Sequence, residues 1–195
     1  MLSIFKSKIL NNYFFWKIYI KYKLARGARN FKSDLDIELH FLLTFKFTGY
    51  SIDVGANKGV YSIVFEQISN QPKHIIVEPN VEYQRSLKKM FPNSLMLPIA
   101  VGDSCGTRDL IIPSIEGSPV ATRASLQYNV ERNMTSTSSK SIYCSRIDTI
   151  GELLGLDSIS VIKIDVEGFE LSVLEGSANV LKYSKPLLLV EIEIR

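Results

Sequence analysis

The sequence is most informative first in what it lacks. It has two cysteines, Cys105 and Cys144, 39 positions apart and outside any CxxC spacing. That excludes a disulfide scaffold and a thiolate metal site, and it points to a reducing, cytoplasmic setting. Two histidines, His40 and His74, are too few to build a zinc centre with so little sulfur. Glycine and proline, 11 and 7 of 195 residues, are not enriched. Collagen-like and low-complexity classes are therefore out. There is no repeat of fixed period. No apolar run approaches the roughly 20 residues that a spanning helix needs. The most apolar early stretch, Tyr13 to Ile20, is short and interrupted by Lys17. No apolar region with a small-residue cleavage site follows the first lysines.

Acid is missing from one place only. Residues 1–33 carry eight basic side chains and no carboxylate, which leaves the rest of the chain at a net −5 against +3 for the whole. The basicity belongs to the N-terminal segment and not to the body, which argues against a nucleic-acid-binding domain. Residues 3–26 read as a basic, aromatic-rich helix. We favour packing over the domain with solvated lysines. The alternative is peripheral contact with an anionic membrane surface or a partner enzyme. A second helix is expected over Asp34 to Phe47, capped by Ser33 or Asp34, with His40 inside it.

What is present is an alternation. Short apolar runs at Tyr50–Val54, His74–Val77, Ser94–Val101, Val161–Ile164 and Leu187–Ile194 read as strands. Val60–Ile68, Val81–Phe91 and Leu171–Leu181 between them have helical spacing. Such alternation predicts a parallel sheet with helices on both faces and right-handed crossovers. We divide the chain into an N-terminal helical segment, 1–48, and an α/β domain, 49–195. Residues 104–148 break the pattern. Asp109–Ile112 and Ser141–Arg146 are expected as antiparallel strands, and the Ser/Thr/Asn-rich stretch between them, most polar over Met134–Ser141, as an insertion beside the sheet with a mobile loop. Thr149 and Glu152 have the spacing of a capping box.

Four of the predicted strands end in an acid: Asp53, Glu78, Asp165 and Glu191. Open parallel sheets bind ligands at that end of their strands. Asp53-Val54-Gly55-Ala56-Asn57-Lys58-Gly59 is a glycine loop between a strand and a helix. Its G-x-x-x-G spacing is not the G-x-G-x-x-G of a pyrophosphate cradle, which disfavours a nicotinamide-dependent oxidoreductase. Glu78 follows Asp53 by 25 residues. A carboxylate at that offset suits a ribose diol. Ala100-Val101-Gly102-Asp103 offers either an adenine pocket, with Asp103 accepting from the amino group, or a plain turn. Strand alternation puts Lys163, Asp165 and Glu167 on one side. Asp165 and Glu167 are candidates to orient an acceptor hydroxyl or take its proton. Lys163 we read as a structural ion pair with a neighbouring-strand acid such as Glu191. The same acids could gather Mg²⁺, but three carboxylates near a cleft are also ordinary, and we assign no metal.

At these residues the chain resembles the FkbM family of methyltransferases. The match runs through Ile52–Ser62, Val77-Glu78-Pro79-Asn80, Ala100-Val101-Gly102-Asp103 and Ile162–Glu170, with Leu174-Glu175-Gly176 and Leu189–Ile192 beyond. The resemblance implies a Rossmann-like methyltransferase sheet with core order 3-2-1-4-5 and S-adenosyl-L-methionine as cofactor. The implied reaction is O-methylation of a hydroxyl on a sugar, a glycan or a natural product. It implies Asp53, Gly55, Asn57 and Glu78 in the cofactor site and Asp165 and Glu167 on the substrate side. Gly59, Ala100, Val101 and Asp103 complete our expected cofactor set. Strands 6 and 7 of a full sheet of this kind are not expected within the chain, so a truncated, non-catalytic cofactor-binding protein is the alternative.

Overall fold

A computed structural model describes residue 39 and residues 41–69, 73–116, 118–126 and 134–192. The helix expected over residues 3–26 and the caps at Ser33 and Asp34 lie outside them. Five strands form a parallel sheet in the order β3-β2-β1-β8-β9. They are β1 Tyr50–Val54, β2 His74–Val77, β3 Leu95–Leu97, β8 Ile159–Ile164 and β9 Leu187–Val190. This is the expected Rossmann-like 3-2-1-4-5 core, with β8 and β9 as its fourth and fifth strands. Side chains alternate across it. Ile52, Val54, Ile75, Val77, Ile162 and Ile164 face α3 Ile147–Leu153, α4 Glu170–Glu175 and α5 Ala178–Ser184. Ile76 packs on the other face with α1 Val60–Ile68 and α2 Val81–Met90. Leu39 and Leu42, near the end of the N-terminal segment, are buried against Tyr61, Val64 and Phe65 of α1.

A second, four-stranded sheet has the order β4-β7-β5-β6. Its strands are β4 Ala100–Val101, β5 Gly106–Ile115, β6 Ser118–Pro119 and β7 Met134–Ser145. The expected third strand over 94–101 is thus two strands. Pro98, which has no N–H to donate, falls at the break. Beyond it, Ala100 and Val101 leave the parallel sheet and pair with Cys144 and Ser145. The stretch 134–141 is not a loop. It forms most of a long antiparallel ribbon, with Asp109 opposite Ser141 and Ile112 opposite Ser138. Residues 135–140 are all exposed, so the strand carries no apolar alternation to betray it.

Two further differences are local. The single helix expected over 171–181 breaks at Gly176 and Ser177 into α4 and α5. A Cβ on Gly176 would overlap the Gly102 carbonyl, so this turn presses directly on the end of β4. Thr149 and Glu152 make no capping box, because α3 begins at Ile147 and Thr149 is already inside it. The cap nearby belongs to Asp148, whose buried carboxylate accepts from Asn179 and Val180 at the start of α5 (3.2 and 2.9 Å). Among the described residues, no helix is long and apolar enough to cross a membrane.

Candidate active site

A cleft opens at the carboxyl ends of β1, β2 and β8. Of the residues singled out in the sequence, Gly55, Asn57, Glu78, Ala100, Val101, Asp165 and Glu167 line it. Asp53, Gly59 and Asp103 do not.

The glycine loop is shaped by close approaches. Gly55 has φ +73°, and a Cβ there would overlap the carbonyl oxygen of Asp165. The ends of β1 and β8 can meet only if this residue has no side chain. Asn57 also adopts a left-handed conformation, φ 51°, which asparagine tolerates better than most residues. Gly59 does a different job from the one expected. At φ +76° it precedes α1, and a Cβ would press on Phe91 and Leu87 of the α2 region, 2.7 and 2.8 Å away. It is a packing glycine beneath the loop.

Glu78, just past β2, is buried. Its Oε2 accepts from the Asn57 N–H and its Oε1 from the Asn80 N–H, both at 2.7 Å. It therefore ties the glycine loop to the start of α2 while lining the cleft, and each oxygen keeps a second acceptor site. Burial pushes its carboxyl up to about 7, against the pull of the two N–H groups. Beside it, the Asn57 Oδ1 is buried and has no hydrogen-bond partner in the structure. A buried acceptor left open at a cleft suits a ligand donor.

Behind the loop lies a buried ionic cluster. Lys163 Nζ donates to Asp165 Oδ2 at 2.9 Å and to the Gly55 carbonyl at 3.2 Å. It stands 4.0 Å from Asp53 Oδ1 and 5.0 Å from the centre of the Tyr61 ring. Lys163 thus pairs with Asp165 and Asp53, not with Glu191, which is exposed beyond β9. The β1–β8 register explains this, since Asp53 and Lys163 are direct cross-strand partners. Asp53 is wholly buried, accepts from Ser62 Oγ at 2.6 Å, and is pushed above the usual carboxylate range by desolvation. It braces the loop from below. Asp103 is elsewhere: it pairs with Arg108 at 2.8 Å and accepts from Ser104.

On the far side of the cleft, the turn 165–169 leads from β8 into α4. Glu167 sits there with φ 57° and Gly168 with φ 96°. Phe169 lines the cleft, and its ring fills the space where a Cβ on Gly102 would be. Sequence reasoning missed the cleft-lining Tyr83 and Phe169 and, in the segment Ala121–Leu126, the residues Ala121, Thr122 and Ala124. That segment contains a short 3-10 helix, Ala121–Arg123. Ser125 bridges to Ile111 of β5 through both backbone groups, and its Oγ donates to the Val166 carbonyl at 3.4 Å.

His74 completes the titratable groups of the sheet. It opens β2, at the end opposite the cleft, buried between Phe65 and Phe91 with Nδ1 2.8 Å from Ser51 Oγ. Desolvation pulls it down to about 4, so it is a neutral core residue.

A hexuronic acid methyltransferase of Haloferax volcanii, AglP, is 30% identical over 145 residues, 72% of this chain. The chain spans about half of that relative's length, 54%. A crystal structure of methyltransferase FkbM from Methylobacillus flagellatus aligns at 16% identity with a TM-score of 0.47, over 76% of this chain and 36% of that one. Residues 53–195 match the methyltransferase FkbM domain, from the acid that ends β1 through β9 and beyond. By that match, the chain belongs to the FkbM methyltransferase family.

Proposed function

We propose that this protein transfers a methyl group from S-adenosyl-L-methionine to a hydroxyl of a sugar, as part of a glycan or a natural product. The reading rests on one juxtaposition: Glu78 and the open Asn57 Oδ1 on one wall of the cleft, and Asp165 and Glu167 on the other. Family membership supports the methyl transfer, and the hexuronic acid methyltransferase supports a sugar acceptor.

The cleft residues fit the cofactor's chemistry. Glu78 would accept from the two ribose hydroxyls, which are donors a carboxylate holds well. Asn57 Oδ1 would take a donor such as the α-amino group. The small side chains of Ala100 and Val101 leave room for a flat base. When bound, S-adenosyl-L-methionine supplies a methyl group on a sulfonium sulfur, so the S–CH₃ bond breaks as an O–CH₃ bond forms. The chain's own work is to align the acceptor, exclude water and take up the hydroxyl proton. Asp165 would receive that proton on Oδ1, while Lys163 fixes Oδ2 and with it the rotamer. Glu167 would orient the acceptor from the neighbouring turn, with Phe169 walling off solvent.

Calorimetry with S-adenosylhomocysteine is the direct test, and absence of binding by the intact protein would overturn the proposal. With an acceptor in hand, Asp165→Asn is expected to slow transfer by about 10²–10⁴-fold while leaving cofactor affinity nearly unchanged.

A further inference from the structure

The turn between β8 and α4 holds a buried carboxylate that the mechanism does not use. Glu170 is the first residue of α4 and is 7% exposed. Its Oε1 accepts from the Gly168 N–H at 2.8 Å and from the Val166 N–H at 3.3 Å. Those two amides flank Glu167, whose φ of 57° lies in the left-handed region. For a residue with a Cβ that conformation is strained, and it persists only where the surroundings enforce it. Here a single oxygen pins the backbone on both sides of the strained residue.

We propose that Glu170 is a positioning residue: its carboxylate clasps the 166–168 backbone and thereby aims the Glu167 side chain into the cleft. This rests on the reading of the cleft given above. Left-handed backbone at one residue swings its side chain to the opposite side from an extended one. Without the clasp, Glu167 relaxes to negative φ and its carboxylate leaves the acceptor wall. The Asp165 carboxylate stays, because Lys163 holds it independently. The role needs an acceptor atom at the right reach and not a charge, and Oε1 alone makes both bonds.

That distinction sets the experiment. Glu170→Gln keeps the reach and the Oε1 acceptor but drops the charge. Glu170→Asp keeps the charge but draws the acceptor back by about 1.5 Å, one C–C bond. In the full chain, Glu170→Gln is expected to turn over close to the wild-type rate. Glu170→Asp is expected to lose on the order of 10²-fold in kcat with S-adenosylhomocysteine affinity nearly unchanged, as for a misplaced group on the acceptor side. Independently of activity, the Gly168 amide is expected to be protected from hydrogen exchange in wild type and Glu170→Gln and to lose protection in Glu170→Asp. Equal activity and equal protection in all three proteins would overturn the clasp, as would a Gln variant impaired while the Asp variant works. If wild type binds no S-adenosylhomocysteine, the reading of the cleft fails, and the exchange comparison still decides whether Glu170 holds the turn.

Discussion

At the scale of single residues, the positions that carry chemistry divide into those that face a ligand and those that make room for others. Gly55 makes room. Gly55→Ala must place a Cβ against the Asp165 carbonyl at positive φ, and should cost at least about 2 kcal/mol in a urea unfolding curve. Lys163 is a counter-ion. Lys163→Met strands Asp53 and Asp165 without their cation, with an expected loss of about 3 kcal/mol measured the same way. Glu78 lines the cleft. With its carboxyl pushed up to about 7, and with ribose hydroxyls donating to the ionised form, S-adenosylhomocysteine affinity should rise as pH increases through about 7 and then level off. A flat affinity from pH 5.5 to 8.5 would remove Glu78 from the ribose. Gly55, Glu78 and Asp165 were legible in the sequence because each sits at a strand end, where period-2 patterning stops and an acid or glycine follows. That Lys163 also stands over Asp53 was not legible, since it depends on the register between β1 and β8, which join segments about a hundred residues apart. Nor was the strain at Glu167, because backbone dihedrals of non-glycine residues leave no mark in composition.

At the scale of elements, what decides placement is which surfaces the strands and helices share. The parallel sheet announced itself through buried, β-branched runs and came out in the expected order. The ribbon of β5 and β7 did not, because its Ser/Thr-rich outer half buries almost nothing. Its register is carried by backbone pairing, which sequence periodicity does not report. Pro98 and Gly176 were visible breakers whose effect was underestimated; Pro98 falls where the chain leaves one sheet for the other, and Gly176 where α4 gives way to α5. Gly59 belongs to this scale also. The sequence places it in the cofactor set, yet its missing side chain lets Phe91 and Leu87 pack against the start of α1. Gly59→Ala should therefore lower the melting temperature without changing S-adenosylhomocysteine affinity once the comparison is made well below the transition. A parallel loss of affinity would return Gly59 to the ligand site.

At the scale of the whole molecule, stability is linked to pH through buried groups, and β2 carries one at each end. The folded His74 sits near 4, below its ordinary 6.5. Between those values the unfolded chain binds the extra proton, so this residue's contribution is complete above about 6.5 and is lost as pH falls toward 4. Glu78 runs the other way. Its folded value is raised from 4.5 to about 7, so the folded chain binds the extra proton, and its contribution is lost as pH rises through that window. Each shift is worth about 3 kcal/mol. Replacing His74 with Phe should thus leave stability that declines from pH 4.5 to 7, and Glu78→Gln stability that climbs from pH 4 to 6.5. Denaturant titrations at four or five pH values would read both slopes. At pH 5.5 the folded chain holds one proton on the pair, on Glu78, and the unfolded chain also holds one, on His74. Folding then moves a proton along a four-residue strand, from one end to the other, and exchanges none with solvent on account of this pair. Between about pH 4.5 and 6.5 the two opposite slopes therefore cancel, and the wild-type chain hides in a nearly flat profile what each single variant exposes.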